Sequence, residues 1–308
     1  MRGTSPEKPA YMLEAHAPTL LAVAALAFCW TLEALLPAVP PSRELGAARF
    51  RHICLGLLNA LPAIALAGLL GVADAAASGA NFGLLRVLDP PLWVHVILAF
   101  LLLDFLQYGC HVLMHKAPLL WRLHAVHHHA EHFEATTAFR FHTLEVMIHG
   151  VITLVAVVLL GVHVFDVVIY NAVLLPVSMF HHSNIRLHPR AEAVLRWITV
   201  TPRMHRVHHS RWQPETDSNY AAVLSIWDRL FGTLYADRSP DAISVGLDGF
   251  DHTHTRTFKG LLSTPFSDAR AELGKPARPL AQAPEPHGAQ STQQPTRREN
   301  YRQRPTTA

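Results

Sequence analysis

Cysteine and charge are both scarce in this chain. Its three cysteines, Cys29, Cys54 and Cys110, stand inside apolar runs without paired spacing, which excludes a disulfide framework and a cysteine-ligated zinc site. Charged residues make up 16% of the 308 residues, below the roughly 25% of typical soluble proteins. The net charge is only +3 and no basic block is interleaved with aromatic residues, so we expect no nucleic acid partner. The polar N-terminus, followed by a long apolar run, does not fit a signal peptide.

Apolar residues, in contrast, make up half of the chain, and the mean hydropathy is positive. Runs over residues 17–37 and 53–72, and a third from about residue 92 into 115, reach the about 20 residues that cross a bilayer. The stretch 146–180 is too long for one span and is interrupted around Gly161, which predicts a helical hairpin. We therefore predict an all-α integral membrane helical bundle of about four to five spans.

The chain divides by composition into three parts. We predict N-terminal membrane helices over residues 1–91, a catalytic domain over 92–240 and a C-terminal tail over 241–308. Beyond about residue 265 the tail is rich in Pro, Gln, Ala, Arg and Thr and should be largely disordered. The arginine-rich 40–52 loop should be cytoplasmic by the positive-inside rule. Each predicted span after that loop crosses the membrane once, and this places the histidine-rich segments on the same cytoplasmic side.

Histidine is the residue that this chain has in excess. Of 22 histidines, 16 lie between His111 and His209. They include an H-x-x-x-H pair and two H-x-x-H-H triplets, which comprise His111, His115, His124, His127, His128, His205, His208 and His209. On a helix, positions i, i+3 and i+4 share a face, so we expect each box to aim its imidazoles at one point.

Eight clustered imidazoles predict more than one metal ion. Neutral imidazole binds iron, copper, nickel and zinc, and a single zinc takes four ligands at most, so the boxes indicate a di-metal site. A zinc hydrolase would instead show H-E-x-x-H, but Val112 occupies the place of that glutamate.

Two further histidines are candidate ligands. His142 lies in an R-x-H-x-x-E motif that ends at Glu145, and it is either a ninth ligand or a structural histidine. His182 ends the predicted hairpin on the side of the boxes, where a further ligand fits. By comparison, His149 is isolated in an apolar run, and we interpret it as a packed side chain.

Asp104 and Tyr108 share a helical face with His111 and His115. A carboxylate inside a membrane span usually faces a partner or a cavity. Asp104 either accepts a hydrogen bond from the free ring nitrogen of a ligand histidine or makes a polar contact between helices. Tyr108 is compatible with the same supporting role or with an ordinary interfacial tyrosine.

The chemistry that such a site favours is oxidation. Non-haem iron sites with open positions activate oxygen, and an oxidised iron pair can attack an unactivated C–H bond. Lipids are the C–H-rich substrates within reach of a membrane protein, but the spacing does not separate hydroxylation from desaturation. A membrane metal transporter or sensor is the non-enzyme alternative. It is disfavoured because transporters place ionisable residues at mid-membrane, whereas the triplets lie outside the predicted spans.

The motifs resemble those of the fatty acid hydroxylase/sterol desaturase superfamily of membrane di-iron oxygenases. Within it, the chain looks most like bacterial sterol desaturase family proteins and the alkylglycerol monooxygenase branch. The resemblance covers about residues 98–237 and rests on motifs in the family's order. They are Asp104-x-x-x-Tyr108-x-x-His111-x-x-x-His115, LWRLHAVHH (120–128), Arg140-x-His142-x-x-Glu145, His182-Ser183-Asn184, TPRMHRVHH (201–209), Asn219-Tyr220 and WDRLFGT (227–233).

The resemblance implies two Fe ions as cofactor, O₂ as co-substrate and a lipid substrate. It implies that the eight box histidines are ligands. His142 and His182 occupy motif positions whose roles are less uniform in the family. The resemblance also implies four side chains that support the ligands: Asp104, Tyr108, Glu145 and Asn184. It also implies a separate electron donor, such as a ferredoxin, a cytochrome b5-like protein or a reductase. The expected setting is the bacterial inner membrane with the site on the cytoplasmic face. Val112 and Thr143 depart from the family pattern, which often has arginine and proline there.

Overall fold

The computed structural model describes residues 7–235, 239–248 and 252–266. The predicted disorder beyond about residue 265 falls almost entirely outside these residues. The domain boundaries at residues 91 and 240 also stay predictions.

Helices form almost all of the regular structure. In chain order the first of them are α1 (Glu7–Leu35), α2 (Leu45–Gly79), α3 (Leu84–Leu88), α4 (Leu92–Lys116), α5 (Pro118–His128), α6 (Thr143–Val155), α7 (Val164–His182), α8 (Pro189–Leu195) and α9 (Pro202–His208). Short α-helices follow as α10 (Gln213–Thr216), α11 (Ile226–Leu230), α12 (His252–Thr255) and α13 (Phe258–Ser263). Ala135–Phe139, Pro240–Ala242 and Thr264–Phe266 form 3₁₀ turns, and Ala156–Leu160 a π-helical turn. Within the described ranges the chain has isolated β-bridges but no β-strand.

Five helical segments are long and apolar enough to cross a membrane. They are Ala17–Leu35, Leu45–Leu88, Leu92–Lys116, Thr143–Leu160 and Val164–His182. Large apolar side chains on these helices point outward, for example Leu57 and Ile64, which are 68% and 70% exposed. Such surfaces suit lipid rather than water. The prediction of an all-α membrane bundle with up to five spans is therefore confirmed.

The second span differs from its predicted bounds at both ends. It begins at Leu45 rather than Ile53, because Arg49 finds carboxylate partners in Glu33 and Glu134 inside the protein. It continues past Val72 to Gly79 because the segment 73–79 is rich in alanine, the strongest helix former. Arg49 and Arg51 are thus helical rather than part of a loop.

The predicted hairpin is formed by α6 and α7, and its turn is locked to the end of α2. Gly161 adopts φ +75°, and Gly83 approaches it so closely that a Cβ on Gly83 would lie 2.6 Å from the Gly161 Cα. The guanidinium of Arg86 donates to the carbonyl oxygens of Val157 and Val162 at 2.8 and 3.2 Å. The hairpin returns the chain to the end of the bundle where α4 also ends, and α7 packs against both α4 and α9 there.

Candidate metal centre

The histidine boxes stand on three helices whose ends are set by local sequence. His111 and His115 occupy the last turns of α4, and Pro118 at the first position of α5 starts the helix that carries the second box. In α9 the hydroxyl of Thr201 accepts a hydrogen bond from the amide of Met204, which caps the helix of the third box.

The tertiary structure collects nine histidines into two adjacent groups. In each group the candidate ligand nitrogens all lie within 4.8 Å of one another. Group A comprises His111, His115, His124, His128 and His208; group B comprises His127, His182, His205 and His209. The two groups meet where the rings of His128 and His209 stack with centroids 4.4 Å apart.

Each triplet divides its histidines between the two groups. In α5, His124 and His128 belong to group A and His127 to group B. In the third box the arrangement is reversed, with only His208 in group A. The expectation that each box aims at one point is therefore wrong for the two triplets, whereas the pair His111 and His115 does lie in one group. Residues four apart on a helix lie nearly above one another, whereas adjacent residues diverge by about 100°. A consecutive His-His pair must therefore face two different sites.

Backbone carbonyls orient several of the rings. The Nδ1–H of His111 donates to the carbonyl oxygen of Tyr220 at 2.7 Å, and that of His208 to Ser218 at 2.6 Å. In group B, Nδ1–H of His182 donates to the carbonyl oxygen of Ser178 at 2.8 Å. These bonds fix the tautomer and leave each Nε2 lone pair facing the centre of its group.

Glu145 performs the same function for His124. Its Oε1 lies 2.6 Å from Nδ1 of His124, and both side chains are buried. With Nδ1 protonated on both His111 and His124, their Nε2 atoms carry lone pairs and yet lie 3.1 Å apart. Two acceptors at this distance cannot bond to each other, but a cation between them would satisfy both. The arrangement therefore fits a metal ion.

Burial keeps the imidazoles neutral, as ligation requires. Desolvation, helped by the neighbouring imidazoles, holds the pKa of His127, His128, His205 and His209 well below the usual value. It lowers the pKa of His208 to about 3. Among the described residues, neither ring nitrogen of His128 or His209 has a hydrogen-bond partner. Buried polar atoms are rarely left unpaired, so these nitrogens also fit metal coordination.

His142 and Asp104 do not contact the ligand groups. His142 caps α6, where its Nδ1 accepts from the amide of Leu144, while Nε2 lies 3.2 Å from the carbonyl oxygen of Leu262. Of the two alternatives for Asp104, the structure shows the polar contact between helices and not the support of a ligand histidine. Seven residues, about 10 Å along α4, separate Asp104 from His111. Its carboxylate instead accepts hydrogen bonds from Tyr170 Oη, Trp227 Nε1 and the backbone amides of Val223 and Leu224.

Tyr108 and Asn184 connect structural elements rather than ligands. The hydroxyl of Tyr108 lies 3.0 Å from Thr233 Oγ1, and its ring stacks on Phe231. Asn184 donates from Nδ2 to the carbonyl oxygen of Val39 at 2.7 Å and accepts from Arg206, which ties the end of α7 to the segment after α1. Of the four predicted supporting side chains, the structure places only Glu145 on a candidate ligand.

A buried polar network behind α5 was not predicted. Arg140 donates to the carbonyl oxygen of Val126 at 2.8 Å and contacts His52, whose Nδ1 lies 3.2 Å from Glu134. Burial alone would raise the pKa of Glu134, but its bonds to His52 and Thr136 lower it. Arg140 was visible as part of a motif, but nothing in the sequence connects it with His52, 88 residues away.

A cavity of about 560 Å³ leads from the histidine groups into the membrane-spanning region. His111 and His124 of group A and His127, His182 and His205 of group B line one end. The remaining wall is mostly apolar and extends along α7 to Val168, 14 residues before His182 and thus about 21 Å away. Pockets of roughly 300–1,000 Å³ bind small ligands, and this one has the size and lining for a lipid chain.

Residues 96–233 match the family model of the fatty acid hydroxylases. The matched segment includes both histidine groups, and the resemblance stated from its motifs is confirmed.

The chain is similar to curated proteins of this superfamily. It is 30% identical over 177 residues to ornithine lipid hydroxylase OlsE of Rhizobium tropici, covering 58% of this chain and 52% of that protein. It is 33% identical over 141 residues to alkylglycerol monooxygenase of Homo sapiens, covering 45% and 30%, and 28% identical over 143 residues to human cholesterol 25-hydroxylase, covering 46% and 51%. The chain therefore spans only a third to a half of these relatives. No solved structure matches it significantly.

Proposed function

We propose that this protein is a membrane-bound di-iron oxygenase that hydroxylates a C–H bond of a lipid, with O₂ as co-substrate. The observation that carries the proposal is that members of two largely buried histidine groups line a mostly apolar, chain-sized cavity. Group A would hold one iron and group B the other. His182 is then a ligand and His142 is not, because its ring caps α6 away from both groups.

When bound, the two ions supply oxygen activation and the oxidising power for C–H attack. The chain contributes the geometry around them. Backbone carbonyls and Glu145 hold the ring tautomers, and the apolar walls exclude water and position a lipid chain against the centre. The candidate ligands are neutral imidazoles, and carboxylates lie behind two of them, Glu145 at His124 and Asp217 at His115. This set suits a redox ion better than the tetrahedral sites of structural zinc.

The surrounding requirements are also proposals. Electrons would come from a separate protein, such as a ferredoxin, a cytochrome b5-like protein or a reductase. We place the protein in the bacterial inner membrane with the histidine groups on the cytoplasmic side, as the arginines after α1 favour. The substrate would be a sterol, fatty acyl or alkyl lipid, and the similarity to three lipid hydroxylases and monooxygenases supports this class.

Metal analysis and isotope labelling test the proposal together. Purified protein should contain close to two iron ions per chain, and cells expressing it under ¹⁸O₂ should accumulate one lipid class heavier by one ¹⁸O atom. A His208→Ala variant provides the matched control and should show neither. A product that lacks two hydrogens and gains no oxygen would make the protein a desaturase. Protein without redox metal that nevertheless alters metal uptake would favour the transporter or sensor alternative.

A further inference from the structure

The cavity wall carries polar side chains that ligation does not use. Apart from the candidate ligands and Glu145, these include Gln107 on α4, His149 on α6 and Asn171 on α7. Polar groups inside membrane spans are costly and mark functional positions. Gln107 lies four residues before His111, about 6 Å along α4, whereas Asn171 lies eleven residues before His182, about 16 Å along α7.

Gln107 is held in place by a chain of contacts that ends on a candidate ligand. Its Oε1 lies 3.1 Å from Nδ1 of His149 and accepts that proton. Nε2 of His149 lies 3.9 Å from Glu145 Oε1, and Glu145 in turn holds His124. The amide oxygen of Gln107 is therefore occupied. In the described part of the chain its amide nitrogen makes no hydrogen bond, so a held N–H donor lies on a wall that is mostly apolar.

We propose that Gln107 determines substrate specificity by donating a hydrogen bond to an oxygen atom of the lipid, in an ether, ester, amide or hydroxyl group. This inference rests on the proposed function and specifies its substrate class. Because the donor lies within one helical turn of group A, the oxidised carbon should lie only a few bonds from that oxygen. An unbroken hydrocarbon chain would leave the amide without a partner, and sites built for hydrogen bonding reject such analogues.

A binding assay tests this without turnover. Protein in nanodiscs is loaded with the fluorescent fatty acid cis-parinaric acid, which is then displaced by octadecane or by 1-methoxyhexadecane. The two competitors have chains of equal length and differ by one methylene replaced by oxygen. For the wild type we expect the ether to displace the probe at about tenfold lower concentration, the effect of one buried hydrogen bond. In Gln107→Leu, and in the more flexible Gln107→Met, the ratio of the two displacing concentrations, octadecane over ether, should fall towards one.

Two control variants in the same cavity separate specificity from packing. Leu174→Ala should weaken the binding of both competitors equally and so keep the ratio of their displacing concentrations. Asn171→Leu should also keep that ratio. A wild-type ratio of one would overturn the proposal. So would a ratio that survives in both Gln107 variants, or one that collapses only in Asn171→Leu, which would place recognition at the far end of the cavity.

The product adds a second, independent measurement. With 1-methoxyhexadecane as substrate, fragmentation mass spectrometry should locate the new oxygen near the ether in wild type and scattered along the chain in Gln107→Leu. Failure of the proposed function would appear as absent iron and absent ¹⁸O incorporation, while the displacement ratio would remain. Failure of the Gln107 inference would appear as a ratio of one in protein that binds iron and incorporates oxygen.

Discussion

Removing the Glu145 carboxylate should selectively weaken the binding of one of the two metal ions. Glu145 contacts His124 of group A at 2.6 Å, and both side chains are buried. Within the described residues Glu145 makes no hydrogen bond to group B. Loss of such a partner typically costs 10–100-fold in metal affinity, or about 1.4–2.7 kcal/mol. Glu145→Leu leaves the Nδ1–H of His124 without an acceptor and should show the full loss. Glu145→Gln keeps an acceptor oxygen and should lose less.

The assay is a titration of metal-free protein with Fe(II) under anaerobic conditions, which separates two binding steps. Wild type should bind two ions per chain. In Glu145→Leu one binding step should be unchanged, and the other should need a higher Fe(II) concentration. Asp166→Asn is the matched control, because Asp166 pairs with His95 at 3.0 Å in the same kind of contact, outside both groups. Two unchanged binding steps in Glu145→Leu would refute the assignment of Glu145 to group A.

Three further predictions concern the remaining polar residues. His142→Ala should keep both irons and lose only about 1 kcal/mol of stability, the usual cost of a helix N-cap; loss of an iron by metal analysis would restore His142 as a ligand. Asp104→Ala leaves four donors unpaired and should destabilise the protein by about 3–5 kcal/mol. The measurement is the unfolding temperature in detergent, which should fall. An unchanged temperature would contradict the role of Asp104 in holding these four donors. Burial and the neighbouring His124 lower the pKa of His208 to about 3. The unfolded chain therefore binds more protons than the folded one below pH 6.5, and metal-free protein should lose stability as the pH falls from 7 towards 4; a constant unfolding temperature over that range would disagree.

The sequence by itself determined the class of fold and most of the site. Apolar runs of membrane-spanning length can only be satisfied as helices in lipid, so the spans were readable, with errors only at ends such as Leu45 and Gly79. The histidine boxes were readable because ligand spacing on a helix follows the helical repeat. The eight predicted box ligands, His182 and the carboxylate of Glu145 could all be named from local spacing and motif order.

Only the tertiary structure decided how these parts combine. The helical repeat separates consecutive histidines, but how the helices pack decides which group each one joins. His128 therefore joins group A, whereas His209, at the same place in its own triplet, joins group B. Asp104 shares a helix face with His111 but lies too far along α4 to reach it, and its donors come from residues more than 60 positions away. The cavity, with Gln107 in its wall, depends on residues from seven helices meeting in space. Contacts of this kind arise from long-range packing, which leaves no periodic signal in the chain.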